Sequence, residues 1–276
     1  MSAPSPCRPQ SKVSAPSDEA TEQRPRPSVT VVVPVRDDAA LLRRCLEALR
    51  LQTWHPDEVI VVDDGSVDAS AAVAAELGAT VARQPPRGIA TAGAAGYDMA
   101  KGELIARLDA DSLPPHDWLE RLLAPFDRDP SVAAVAGDAW FVDAAGKPRP
   151  RAAAAYLGAY RAVLLPTLGH TPLFGSNMAM RRDAWSQVAA EVHRDDDLLH
   201  DDLDLSFHLG RTHRIRRARG AAVGISARPL RLDAALLLRI RRGFHTVLIH
   251  WPRDFPPWRW WMRARALRTV APERAR

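Results

Sequence analysis

The chain has 276 residues, 46% of them hydrophobic, enough to bury a sizeable core in one large domain or one domain with appendages. Its two cysteines, Cys7 in a polar tail and Cys45 inside an amphipathic pattern, exclude a disulfide scaffold and fit a reducing, cytoplasmic compartment. The net charge of +5 is uneven: residues 211–276 hold 17 Arg against Asp233, Asp254 and Glu273, a balance of +14, so residues 1–210 carry −9.

Residues 1–27 are rich in Pro and Ser and lack an apolar stretch, which points to a disordered leader and not to a signal peptide. VTVVVPV (29–35) is a β-branched run of the kind a parallel strand buried on both faces shows. AALLRRCLEALRL follows, with Leu42, Cys45, Leu46 and Leu49 at helical spacing and Arg43, Arg44, Glu47 and Arg50 on the other face. EVIVVDDGS reads as a strand running into a carboxylate-rich turn, and SAAVAAELG as a helix closed by Gly78. A short strand near ATVAR, a helix over IATAGAAGYDMAKG and a strand ELIARL continue the alternation, the signature of a parallel α/β sheet with helices on its faces. Beyond it, PPHDWLERLLAPF reads as a helix with Pro near its start, VAAVAG as a strand, residues 150–165 as an Ala-rich helix, and FGSNMAMRRDAW as strand into helix. HDDLDLSFHLGR places Asp201, Asp202 and Asp204 at a helix start, where carboxylates complement the dipole and cap free N–H groups. No run of about 18 apolar residues occurs, so no bilayer span is expected.

Two acidic clusters end strands. Asp63 and Asp64 follow EVIVV, while Asp109 and Asp111 follow ELIARL, and parallel pairing would bring both to the sheet edge where α/β proteins bind ligands. Turn formation is an equal reading of VDDGS alone. Asp109 and Asp111 are different: on an extended backbone residues two apart point to one side, so the two charges crowd each other unless a cation or strong donor lies between them. Carboxylates so spaced suit Mg²⁺ or Mn²⁺ on a diphosphate.

The blocks VTVVVPVRDDAALLRRCLEALRLQTWHPDEVIVVDDGSVDAS, RGIATAGAAGYDMAKGELIARLDADS, FGSNMAMRRDAW and HDDLDLSFHL, in this order from about Ser28 to Gly210, resemble the family 2 glycosyltransferases with the GT-A fold. The resemblance implies a Rossmann-like, mostly parallel sheet over residues 28–225 and an inverting transfer of sugar from a nucleotide-diphospho-sugar to an acceptor hydroxyl. It implies that Pro34, Val35 and Asp37 line the nucleotide pocket, that Asp64 bonds the base, and that Asp109 contacts ribose or sugar. Asp111 is then the ligand of a divalent metal (Mg²⁺ or Mn²⁺), Asp202 the general base, and Gly175, Ser176 and Asn177, with Asp201, the acceptor side. A helix cap is the plain alternative for Asp202.

The sequence departs from the family at Thr91-Ala92-Gly93-Ala94-Ala95-Gly96, where a polar pair is usual, which leaves Arg87 and Gly88 for donor contacts. Asp201-Asp202 stands for the more usual Glu-Asp, and the Q-x-x-R-W motif of processive synthases is absent, so single addition is expected. A sugar nucleotidyltransferase would want a Gly-rich phosphate loop with Lys or Arg, which PVRDDAALL lacks; a non-catalytic binding module on the same fold is the other rival.

In residues 226–276, LLLRIRRGFHTVLIHWPRDFPPWRWWMRARALR interleaves Arg with Trp251, Trp258, Trp260 and Trp261. Two readings fit it. One is an element docking on anionic lipid, which suits a lipid-linked or cell-envelope acceptor and a peripheral place on the inner face of the cell membrane. The other is a helix packed on the catalytic domain with a solvated Arg face. No recognition motif supports nucleic acid as a partner. His245 and His250 are candidate metal or acceptor ligands, though single histidines are more often structural.

Overall fold

The computed structural model of the chain describes residues 26–142, 147–196, 198–227 and 234–269. The expected leader thus lies, apart from Arg26 and Pro27, outside the described residues. Strands β1 (Val29–Val35), β2 (Glu58–Asp63), β3 (Thr80–Arg83), β4 (Leu104–Leu108), β5 (Val132–Val142), β6 (Pro148–Arg149), β7 (Asn177–Arg181) and β8 (Arg214–Ser226) form one sheet. Its order is β3-β2-β1-β4-β7-β5-β6, with β8 also paired to β5. β1 runs parallel to β2 and β4, and β8 to β5, whereas β7 is antiparallel to both its neighbours. The helices are α1 (Ala39–Arg50), α2 (Ser70–Glu76), α3 (Ile89–Met99), α4 (Trp118–Arg128), α5 (Pro150–Leu168), α6 (Arg182–Val188), α7 (Asp201–Thr212), α8 (Ala234–Asp254) and α9 (Pro256–Thr269).

Why the first strand is apolar throughout is visible in its two faces. Val31 and Val33 pack with Leu42, Leu46, Trp118 and Leu122 on one side, and Val32 packs with Ile60, Ala92, Ile105 and Trp185 on the other. Each such side chain taken from water contributes about 1.5–3 kcal/mol before entropy is counted. The small residues of α3 have the same cause. A Cβ on Gly96 would stand 2.3 Å from Val32 Cγ1 and 3.0 Å from Val62 Cγ2, so the helix lies directly on β1 and β2. The departure at Thr91–Gly96 is therefore a packing feature, with Ala92 and Ala94 buried.

β8 is not read as a strand from the sequence, although it falls almost wholly within the expected domain of residues 28–225. Its pairing with β5 skips from Ala136↔Arg217 to Asp138↔Ala222, so residues 218–221 bulge, and Arg217 returns to bond Asp138 at 2.9 Å. Among the described residues no helix is long and apolar enough to cross a membrane.

Candidate active site

Parallel pairing of β2 and β4 on either side of β1 brings Asp63, Asp64, Asp109 and Asp111 to one edge of the sheet. A cation from the strand itself engages the first carboxylate beyond β4. Arg107, only 2% exposed, lies two residues before Asp109 and donates from Nη2 to Asp109 Oδ1 at 3.1 Å, while Nη1 bonds Asp201 Oδ2 and the Tyr97 hydroxyl. Burial alone would lower its pKa, yet the charge of Asp201 and the neighbouring Tyr97 and Asp109 raise it well above the ordinary value. Gly175 lets the chain pass over the guanidinium, since a Cβ there would lie 3.1 Å from Cζ. Asp109 Oδ2 accepts from the Ser176 hydroxyl, so both of its oxygens are engaged. Asp111 is half-buried in the turn beyond, and its charge, together with that of Asp109, adds to burial in pushing the Cys45 thiol up.

The β2 carboxylates build the neighbouring wall. Asp63 accepts from Ser66 N at 2.8 Å and from Arg83 Nε at 3.1 Å. Asp64 accepts from Gln84 Nε2 at 2.7 Å and from the N–H groups of Arg87 and Gly88 at 2.8 and 2.9 Å, which fastens the turn leading into α3. Asp37, at φ 51°, accepts from Val67 N at 2.7 Å and ties the end of β1 to the Asp-Gly-Ser turn. Arg87 turns its guanidinium to Asp195 at 2.6 Å. Pro34, Val35 and Asp64 line a cavity of about 270 Å³ whose other walls include Gly88, Leu199 and Arg242. A larger cavity, about 780 Å³, opens at the opposite strand ends beside Thr30, Glu58 and Lys101, away from the edge where ligands of α/β sheets bind.

Asp202 sits in the first turn of α7, 8% exposed. The alternative of a helix cap fails: His200 is the N-cap residue and the helix start has no side-chain cap bond. Asp202 Oδ2 accepts from Gly175 N at 2.9 Å, while the His200 ring lies 3.5 Å from Oδ1, which has no hydrogen-bond partner among the described residues. Burial pushes this carboxyl up, but His200, the Gly175 N–H and the Arg107 charge hold it below the usual carboxylate range. The Tyr160 hydroxyl, buried and likewise unpartnered among the described residues, is pushed up by burial and by the Asp202 charge.

Asp109, Asp201, Asp202, Gly175 and Ser176 thus meet around Arg107, and Pro34, Val35 and Asp64 share one cavity. Asn177 does not face an acceptor. It is fully buried, its Nδ2 donating to Asp138 O and Ala221 O at 2.7 and 2.9 Å and its Oδ1 accepting from Trp118 Nε1 at 2.9 Å, so it locks β7 into the sheet. Sequence reading missed Arg107, His200, Tyr160 and Arg242. Arg107 had a signal, a lone cation inside an apolar strand two residues before the carboxylate pair; Arg242 had none, because only α8 packing back brings it here.

The glycosyl transferase family 2 model matches residues 30–188, more than half of the chain. A pre-mycofactocin glycosyltransferase of Mycobacterium tuberculosis is 40% identical over 129 residues, 43% of this chain and 26% of its own length. An undecaprenyl-phosphate 4-deoxy-4-formamido-L-arabinose transferase of Pseudomonas fluorescens is 36% identical over 118 residues, 38% of this chain and 34% of its own. The matched stretches thus span about a third or less of these relatives. A mannosyltransferase from Pyrobaculum calidifontis, solved with GDP-mannose and Mn²⁺, superposes with a TM-score of 0.61 over 91% of this chain and 77% of its own at 22% identity, and shares the fold. The sheet order, the carboxylates at the ends of β2 and β4 and the family match agree: this chain has the GT-A fold and belongs to glycosyl transferase family 2.

Proposed function

We propose that the chain transfers a sugar from a nucleotide-diphospho-sugar to an acceptor hydroxyl, one residue at a time and with inversion. The observation that carries this is the Asp202 carboxylate: buried, held ionised, oriented by Gly175 N, and presenting one oxygen without a hydrogen-bond partner among the described residues. That oxygen is suited to take the acceptor proton, a role that typically contributes about 10²–10⁴ in rate. Arg107 holds the start of α7 against the end of β4, so the base and the donor edge keep a fixed relation. The 270 Å³ cavity of Pro34, Val35 and Asp64 suits the nucleoside, and Arg242 on its wall offers positive charge to the diphosphate.

Asp111 is the residue to hold a divalent ion. It lies half-buried in the turn beyond β4 at the donor edge, and a single carboxylate joined by diphosphate oxygens and water is a usual Mg²⁺ or Mn²⁺ set, so the residue fits. When bound, such an ion neutralises charge on the departing nucleoside diphosphate. The Mn²⁺ and GDP-mannose bound by the Pyrobaculum enzyme support this assignment.

For the acceptor, a lipid-linked molecule at an anionic membrane surface fits best. Leu237, Ile240, Phe244, Leu248 and Trp251 recur at helical spacing and all are exposed, an apolar stripe along α8 beside Arg241 and Arg253 that exposed Phe255 continues just beyond the helix. The relative from Pseudomonas fluorescens, which its name makes an undecaprenyl-phosphate transferase, supports the same class.

Release of nucleoside diphosphate from a panel of nucleotide sugars with Mn²⁺, and the anomeric configuration of the product by NMR, test the reading. Asp202→Asn is expected to lose about 10²–10⁴ in turnover while calorimetric binding of nucleoside diphosphate with Mn²⁺ persists. Asp111→Ala is expected to lose the Mn²⁺-dependent part of that binding. A retained anomeric configuration, or near-original turnover in Asp202→Asn, would overturn the assignment.

A further inference from the structure

One cluster of metal-ligating side chains lies outside the proposed transfer chemistry. His193, Asp204, His208 and His250 each offer a ligand atom, and these atoms all lie within 4.8 Å of one another. Asp204 Oδ1 stands 2.8 Å from His193 Nδ1, 2.8 Å from His250 Nε2 and 3.5 Å from His208 Nε2. Four ligands around Zn²⁺ at about 2.0–2.1 Å are separated by about 3.3 Å when tetrahedral, and the three distances bracket that edge.

Hydrogen bonding explains only part of this cluster. His193 and His250 each share a proton with Asp204, but His208 is 4% exposed and neither of its ring nitrogens has a hydrogen-bond partner among the described residues. A neutral imidazole brings one donor and one acceptor, and leaving either buried and unpaired costs about 1–3 kcal/mol. A metal on Nε2 removes that cost and also directs the other nitrogen. His208 Nδ1 lies 3.5 Å from Glu191 Oε2, an outer carboxylate placed to receive its N–H, and Asp254 Oδ2 stands 3.8 Å from His250 Nδ1. The surroundings are arranged in advance: Phe207 stacks on the His250 ring at 4.2 Å, Asp204 and His208 are one helical turn apart, and half-exposed His193 gives solvent access.

We infer that His193, Asp204, His208 and His250 form a binding site for one transition-metal ion, Zn²⁺ fitting best, separate from the ion assigned to Asp111. Three imidazoles and one carboxylate suit Zn²⁺ and disfavour Mg²⁺, and four protein ligands make a closed, structural site. Its effect is mechanical. Asp204 and His208 belong to α7, whose first turn carries Asp201 and Asp202, and His250 belongs to α8, which carries Arg242 to the donor cavity. One ion therefore fixes the helix of the proposed base to the helix that closes the donor site. This inference does not depend on the glycosyl-transfer reading.

The test is metal content of the untagged full chain after dialysis against a weak chelator, with Co²⁺ titration of the metal-stripped protein. One equivalent of Zn²⁺ and the intense visible bands of four-coordinate Co²⁺ are expected, with Asp111→Asn retaining both. His208→Ala is expected to retain neither, and Glu191→Gln to bind Zn²⁺ about 10- to 100-fold more weakly. The Co²⁺ spectrum of the native chain decides the matter even where a variant fails to fold. No retained Zn²⁺ together with only weak six-coordinate Co²⁺ bands, or Zn²⁺ held equally by a folded His208→Ala, would overturn the site.

Discussion

Around β1 the groups removed from water are Val31, Val32, Val33, Ile60 and Leu42; in α8 and α9 they are Thr246, His250, Asp254, Arg259 and Arg263. The outer surfaces are exchanged to match, since Phe244, Leu248, Trp258 and Trp261 are exposed on the C-terminal helices. Arg259 shows how the inverted region holds. Its Nε donates to Leu168 O at 2.9 Å, Nη1 to Asp254 Oδ1 at 2.7 Å and Nη2 to Phe207 O at 3.0 Å, joining α9 to α5, α7 and the end of α8. Arg211 brings a second cation to 2.6 Å from Asp254 Oδ2, and Glu191, 2.8 Å from its Nη1, balances that charge. The sheet gains stability from burial itself, whereas buried ion pairs roughly break even against apolar packing and become expensive only when one partner is lost. Val247 packs against Leu164, Leu168, Leu203 and Phe207, but the large apolar residues Phe244, Leu248, Trp258 and Trp261 stay exposed, so these four contribute little to the core.

The largest effect that tests this contrast is Asp254→Ala. It leaves Arg259 buried without a carboxylate and is expected to cost about 3–5 kcal/mol in urea unfolding, as much as Trp118→Ala in the sheet region. The two regions should then diverge on repair: Asp254→Leu with Arg259→Met is expected to recover most of the loss, because the apolar pair needs no partners. A cost below about 1 kcal/mol for Asp254→Ala would mean that water reaches Arg259 and the inverted core is not dry.

This contrast also marks how far the sequence was legible. The alternation up to β4 was readable because β1 and β4 are buried throughout and α1 on one face, so periodicity reports burial directly there. The shared edge of the carboxylates was readable because parallel pairing brings strand ends together, although turn formation accounted for Asp63 and Asp64 equally well. Beyond Gly210 the same rule misleads. An arginine such as Arg259 reads as solvated and a tryptophan such as Trp258 as buried, and neither is so. The alternative of a packed helix with a solvated Arg face was right about packing and wrong about Arg259 and Arg263. Asn177 was placed by its neighbours in the motif, but strand alternation sends residue 177 inward while Ser176 reaches Asp109.

A smaller effect, on pH, sharpens the comparison. His170 is enclosed by the inverted region, with Nδ1 donating to Thr171 O at 2.9 Å and Arg259 Nη2 3.2 Å from Nε2. Burial, then the charges of Arg263 and Arg259, push its pKa down to about 3. A histidine depressed in the folded state contributes its stability above the unfolded value of about 6.5 and loses it as pH falls toward 3. Stability is therefore expected to drop by up to about 1.4 kcal/mol per unit between about pH 6 and 5, above the range where the depressed Asp202, Asp204 and Asp254 begin to lose their own contribution. His170→Gln should flatten the slope in chemical unfolding followed across that window. A slope unchanged by the substitution would place the acid sensitivity elsewhere.

The smallest effect on stability is expected where the outward apolar surface is altered, and there the comparison is most exposed to failure. Phe244 and Leu248 are 67% and 58% exposed on α8, so Phe244→Ser with Leu248→Ser should change unfolding free energy by only about 0.5 kcal/mol. If the stripe meets a membrane, the same pair should release the full chain from anionic vesicles. Exposed Arg241, Arg253, Arg265 and Arg268 flank the apolar residues, and basic groups at an anionic surface contribute about 1 kcal/mol each, screened within roughly 8 Å at physiological salt. Native protein should therefore sediment with phosphatidylglycerol vesicles at low salt, less at high salt, and little with phosphatidylcholine. The double variant should sediment less under every condition while nucleoside diphosphate binding holds. Equal sedimentation of both chains, or of neither, would detach the exposed stripe from lipid and remove the reason to favour a lipid-linked acceptor, even with the inverted packing of α8 and α9 intact.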